Sequence, residues 1–193
     1  MSLDTPISTP STPAAGSAGS AGSFATPPGL VLPTGAAPFS LDEVNRRVLK
    51  LLPQQRPFRF LERIVAIDEN AIVGQYRFDP SESFYAGHFP FKPVTPGVIL
   101  IETMAQTAVV AFGLYLVLLE QLADASVDPE RYVAMFAEVQ AEFFREVPPG
   151  ETVTVRGQKV YWRRRKLKAT AELYLESGEL AASATLGGMG VLK

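Results

Sequence analysis

Gly97-Val98-Ile99-Leu100-Ile101-Glu102-Thr103-Met104-Ala105-Gln106-Thr107-Ala108-Val109-Val110-Ala111-Phe112-Gly113-Leu114-Tyr115-Leu116-Val117-Leu118-Leu119, running on to about Ala123, is the stretch on which the fold turns. Apolar residues fall on nearly every side of the helix it predicts, so that helix is expected to be buried all round. At ~1.5 Å per residue it spans roughly 40 Å, enough to cross a bilayer. Against a membrane span stand Glu102, Thr103, Gln106 and Thr107 in its opening turns, the lack of a flanking Lys or Arg cluster, and amphipathic strands on both sides. The expectation is a core helix and no membrane span.

Working outward, residues 63–67 and 71–78 read as two strands joined by the turn Asp68-Glu69-Asn70. Beyond the helix, residues 132–137, 141–145, 152–162, 167–175 and 180–186 read as strands. Turns fall at Pro148-Pro149-Gly150, at 163–166 and at Ser177-Gly178. Two strands, one long apolar helix and a strand meander predict an α+β domain, an antiparallel sheet wrapped around a long central α-helix. Order is expected to begin at Ser40-Leu41-Asp42-Glu43, which has the form of a capping box, with Phe39 and Val44 able to staple across it. Leu41, Val44, Val48 and Leu51 recur at helical spacing, and Pro53 closes that short helix. Residues 1–38 are Ser-Thr-Pro and Ala-Gly-Ser repeats with almost no charge, which reads as a low-complexity, disordered tail ahead of a domain over 39–193.

The 193 residues carry 18 Lys and Arg against 20 Asp and Glu, a net charge of −2 that makes no case for nucleic-acid binding. With no cysteine and one histidine, the usual ligand sets for zinc, iron–sulfur clusters and haem are missing, as is a thiol nucleophile. No metal and no cofactor is expected. The absence of cysteine suits a reducing cytoplasm, and the N-terminus lacks the basic start and continuous apolar run of a secretory signal, so a cytoplasmic protein is expected.

The one histidine, His88, lies in Gly87-His88-Phe89-Pro90. Imidazole titrates nearest working pH and is the usual general base for a carbon-bound proton, so an enzyme of that kind has a single candidate here. Glu102 follows just inside the apolar helix, whose start at Pro96-Gly97 leaves unpaired N–H groups. Gln106, one helical turn beyond Glu102, suits either orienting that carboxylate or serving as a satisfied core amide.

This order of elements, together with Gly87-His88-Phe89-Pro90-x-Lys92-Pro93-x-x-Pro96-Gly97-Val98-x-x-x-Glu102-x-Met104-Ala105-Gln106, resembles the hotdog-fold 3-hydroxyacyl-[acyl-carrier-protein] dehydratases. Leu51-Leu52-Pro53 with Pro57-Phe58 and Arg63, and the segment 143–151, extend the likeness over about 40–192. The resemblance implies a hotdog fold and dehydration of (3R)-3-hydroxyacyl thioesters on an acyl carrier protein to trans-2-enoyl thioesters in fatty-acid or related biosynthesis. It places the general base or acid at His88, a working carboxyl at Glu102 and a thioester-polarising N–H at Gly97, with Val98, Phe89 and Gln106 at the substrate. It further implies a homodimer whose sites each combine His88 of one subunit with Glu102 of the other, often assembled into hexamers. Phe91, Thr95, Phe144 and Glu146 depart from the family's usual residues, at what would be the tunnel mouth and docking surface. Two rivals stay open: a hotdog thioesterase, in which Glu102 activates water without His88, and a non-catalytic acyl-binding subunit. The run Arg163-Arg164-Arg165-Lys166 suits either a docking site for an acidic carrier or a solvated hairpin turn.

Overall fold

Ser40 opens the first helix through its side chain: Oγ accepts the Glu43 N–H at 3.2 Å, and α1 runs Leu41–Leu51. Its inner face buries Val44 and Val48, and Phe39 joins the same cluster with its ring edge-on to Tyr115. The computed structural model describes residues 25–193. The expected tail therefore lies outside the described residues over 1–24, while residues 25–38 run over the domain. Gln75 Nε2 donates to the Ala25 carbonyl at 2.9 Å, Arg156 Nε to the Val31 carbonyl at 3.2 Å, and the Gly35 N–H reaches Asp68 Oδ2 at 2.9 Å. Composition left this segment nothing to fold around; the partners come from the domain.

Strands β1 (Arg63–Ile67) and β2 (Ala71–Arg77) form the expected hairpin. Asp68 closes its turn, with Oδ1 accepting the N–H groups of Asn70 at 2.7 Å and Ala71 at 2.8 Å. The long helix follows as α2, Gly97–Ala123, and 67% of its most apolar stretch is buried. It is not uniform. Gln106–Ala111 is a π-helical segment between α-helical Gly97–Ala105 and Phe112–Ala123. Strands β3 (Tyr132–Phe143), β4 (Thr152–Arg163), β5 (Lys166–Tyr174) and β6 (Leu180–Leu192) complete one antiparallel sheet in the order β1-β2-β4-β5-β6-β3.

The sheet wraps α2 so closely because three strands present glycine to three consecutive residues of the π segment. A Cβ on Gly74 would lie 2.8 Å from Thr107 Cγ2, one on Gly157 2.7 Å from Ala108 Cβ, and one on Gly188 2.6 Å from Val109 Cγ1. No side chain fits at those distances. On one flank the helix packs Leu100, Met104 and Ala105 with Phe60, Tyr76 and Phe78; on the other, Phe112, Tyr115 and Leu118 pack under α1.

Two strand readings need correction. Residues 132–137 and 141–143, read apart with Glu138-Val139-Gln140 between them, belong to one strand, β3, which ends at Phe143. A bulge between Phe136 and Glu138 absorbs the irregularity while pairing to β6 continues. β6 also runs on past Leu186, where the expected strand ended, to Leu192. Gly187 pairs with both Glu138 and Lys168, and Gly188 with Phe136 and Leu167, so these glycines permit close approach and do not end the strand.

Candidate active site

His88 is positioned by its own loop. A 3₁₀ turn, Ser83–Ala86, precedes it; the His88 N–H donates to the Phe84 carbonyl at 3.0 Å, and the Val94 N–H returns to the His88 carbonyl at 3.1 Å. The half-buried imidazole places Nδ1 3.0 Å from the Val94 carbonyl oxygen. A carbonyl only accepts, so Nδ1 carries the hydrogen, and whenever the ring is neutral its lone pair falls on Nε2. Phe89 stacks on one face of the ring at 4.1 Å between centroids.

Beside His88, α2 begins. The N–H groups of Ile99 and Leu100 both bond the Pro96 carbonyl, at 2.9 and 3.1 Å, while those of Gly97 and Val98 find no partner among the described residues. These free donors at a helix N-terminus suit developing negative charge. A Cβ at 97 would press to 3.0 Å on Phe143 Cζ, so any other residue there has to displace that ring. His88, Gly97, Leu100 and Phe143 line one open cleft.

Glu102 is not in that cleft. Five residues beyond Gly97, it lies about 140° further round the helix, on a face shared with Gln106 and with Val98, which is 71% exposed. Its Oε1 accepts from Gln106 Nε2 at 2.8 Å and, at 3.5 Å, more weakly from Gln54 Nε2. Burial raises the carboxyl above its ordinary value of 4.5, and the two amides pull the other way. Gln106 serves both of the roles its position suggested. Fully buried at 0% exposure, it holds Glu102, donates to the Phe58 carbonyl at 2.8 Å and accepts the Phe60 N–H at 2.7 Å. Replacing it by leucine strands two backbone groups and is expected to cost about 2–4 kcal/mol in chemical denaturation. Gln106→Glu, which keeps an acceptor for Phe60 but loses the donor to Glu102, separates fold from carboxylate positioning.

Sequence reasoning missed Gln54, Val94 and Phe143. Gln54 carries no motif, Val94 acts only through its carbonyl, and Phe143 is marked only as one residue of an expected strand. The departures are accounted for individually. Thr95 is buried with its hydroxyl 2.6 Å from Tyr85 Oη; Glu146 pairs with Lys92 of the His88 loop at 2.6 Å; Phe144 and Phe91 stand exposed. The basic run forms a tight turn in which Arg164 and Arg165 take φ of 49° and 58°. Arg165 is held there by Glu120 at 3.3 Å and by the Tyr132 ring at 4.3 Å. Glu120 is roughly 35 Å along α2 from Gly97, so this turn is at the far end of the molecule from His88.

A six-stranded antiparallel sheet wrapped around one long helix, with a loop histidine at that helix's N-terminus, defines a hotdog-fold protein. The chain belongs to the family of FabA-like domains, whose model matches residues 52–184. It is 36% identical over 142 residues to a Thermus thermophilus 3-hydroxyacyl-[acyl-carrier-protein] dehydratase FabZ, covering 73% of this chain and 92% of that one. To the protein of that name from Chlamydia trachomatis it is 32% identical over 137 residues, covering 69% and 84%. Among solved structures, the dehydratase heterocomplex ApeI:P from Xenorhabdus doucetiae superposes with a TM-score of 0.59 over 76% of this chain and 91% of that one, at 16% identity, which shows the shared fold.

Proposed function

We propose that the chain is a hydro-lyase that converts carrier-protein-bound (3R)-3-hydroxyacyl thioesters to trans-2-enoyl thioesters in fatty-acid biosynthesis, in the cytoplasm. The observation that carries this is the juxtaposition, in one cleft, of an imidazole Nε2 and two helix-start N–H groups that have no partner among the described residues. With the thioester carbonyl on the Gly97 and Val98 N–H groups, Nε2 of His88 takes the C2 proton and the charge collects on the thioester oxygen. Collapse of that enolate expels the C3 hydroxyl, which leaves as water once a carboxyl donates a proton to it. Glu102, kept neutral to higher pH by burial, is the group suited to that donation.

Within one chain His88 and Glu102 face different sides of α2, so the complete site takes its acid from a second copy. An open-edged strand, β3, with Met135, Phe136 and Val139 exposed, and the exposed Val98 and Phe91, the latter at 87%, give that copy an apolar face to cover. Mixing subunits tests this arrangement. Refolding equal amounts of inactive His88→Ala and Glu102→Gln chains together is expected to restore about a quarter of wild-type activity, because half the dimers then hold one intact site of two. A site built within one chain leaves the mixture inactive.

A further inference from the structure

Gln54 lies on the short segment that leaves α1. Leu52 anchors that segment in the core, Gln55 Nε2 donates to the Leu52 carbonyl at 2.9 Å, and the Phe58 N–H closes onto the Gln55 carbonyl at 2.8 Å. So held, Gln54 reaches Glu102 and places its Nε2 3.5 Å from the carboxyl Oε1. The other end of the same amide is the anomaly. Gln54 Oε1 is buried and accepts no hydrogen bond among the described residues. An acceptor buried without a donor costs stability. Thr107 Oγ1, Tyr115 Oη and Arg165 Nε are orphaned in the same way, but of the four only Gln54 has its side chain bonded to Glu102.

The carboxyl is lopsided to match. Both of its hydrogen bonds, from Gln106 Nε2 and Gln54 Nε2, end on Oε1, and Oε2 has no partner among the described residues. When Glu102 is neutral its proton therefore belongs on Oε2, since Oε1 already faces N–H donors. The acid then offers one donor, Oε2–H, and Gln54 one acceptor, Oε1, and neither has a use within the chain. Together they complement a single hydroxyl, which accepts one hydrogen bond and donates another. Resting on the dehydratase reading above, we infer that Gln54 is a substrate-binding residue whose Oε1 accepts the hydrogen of the C3 hydroxyl while Glu102 Oε2–H is directed at the oxygen of that hydroxyl. As the C3–O bond breaks, its electron pair goes to the oxygen, the Glu102 proton forms the second O–H bond, and the first hydrogen stays on Gln54. In hydration the same two acceptors, Oε1 of Gln54 and Oε2 of the ionised carboxyl, take the two hydrogens of the attacking water.

The test follows Gln54→Met, close in length and without the amide's donor and acceptor, in the full chain and in both directions: hydration of crotonyl and dehydration of (3R)-3-hydroxybutyryl carrier-protein thioesters. Crotonyl has no hydroxyl, so its KM stays within about twofold of wild type while kcat for hydration falls about tenfold, the water being no longer held. In dehydration the loss appears as a KM raised about tenfold with kcat little changed, because ground state and transition state share the lost bond. Gln54→Ala, which adds no bulk, gives the same split if methionine crowds the pocket. A fall of kcat in both directions with both KM values in place overturns the inference, since Gln54 then acts only through Glu102. A crotonyl KM raised in both variants overturns it as well, marking a packing role, and so do unchanged kinetics. Each of these leaves the dehydratase reading standing; a wild type inert on both substrates removes that reading itself.

Discussion

His88→Ala is expected to slow hydration of a crotonyl thioester, followed by loss of enoyl absorbance, by roughly 10³-fold, within the span for a lost general acid–base. That is about 4 kcal/mol of barrier. The size follows from the absence of a substitute: the chain has one histidine and no cysteine. The carbonyl of Val94 fixes the tautomer, so the lost group is a base already oriented toward the cleft. The fold should survive, because the ring is half-buried and the loop is also closed by backbone bonds from Val94 and to Phe84. A thiol trap run beside the assay separates the rival chemistry. Thiol release that persists in His88→Ala points to a thioesterase; a folded wild type without turnover on either coenzyme A or carrier-protein substrates points to an acyl-binding subunit.

Glu102→Gln is expected to lose activity by roughly 10²–10⁴-fold and, at neutral pH, to unfold at a higher denaturant concentration than the wild type. The two effects share one cause. Burial lifts the Glu102 carboxyl above its ordinary 4.5, so the folded state favours the neutral form. The stability contributed by that neutral form is fully present below the ordinary value and is lost as pH rises through the raised one. Glutamine cannot ionise. The difference between variant and wild type is therefore small at acid pH, grows as pH climbs past about 4.5 and levels off once the wild-type carboxyl is ionised in the folded state. Denaturation series across pH check the sign; a variant less stable than wild type at pH 7 would mean that the amides of Gln106 and Gln54, which favour the ionised form, outweigh burial. Such an acid trades stability for a proton held where the reaction needs it.

Much of the fold was legible because its signals are local. The capping box at Ser40, the turn at Asp68 and the apolar circumference of α2 each depend on a few neighbouring residues. What escaped depends on partners far away in sequence. The π segment arises at Gln106, whose amide is engaged with residues 58 and 60, and nothing in Gln106-Thr107-Ala108 announces it. The expected strand over 180–186 stops short of Gly187-Gly188, since glycine punctuates strands more often than it admits a helix, and only the proximity of Val109 shows which applies. In the site, His88, Gly97 and Glu102 were marked by residue type and spacing. Their division between two faces of the helix is a matter of angle: the spacing from Gly97 to Glu102 carries it, but only once the face turned toward Phe143 is known. Val94 and Gln54, which fix a tautomer and touch a carboxylate, leave no trace in pattern.

The three bonds from residues 25–38 to Gln75, Arg156 and Asp68 bear on where this domain can be cut. A truncation drawn at Ser40, where regular secondary structure starts, removes Gly35 and leaves Asp68, 5% exposed, with one carboxylate oxygen deprived of its N–H partner. It also uncovers the amide of Gln75 in β2 and the guanidinium of Arg156 in β4. A cut before Ala25 keeps all three. The smallest piece that retains every hydrogen bond of the described fold thus begins in low-complexity sequence, at a residue that neither helix nor strand would single out.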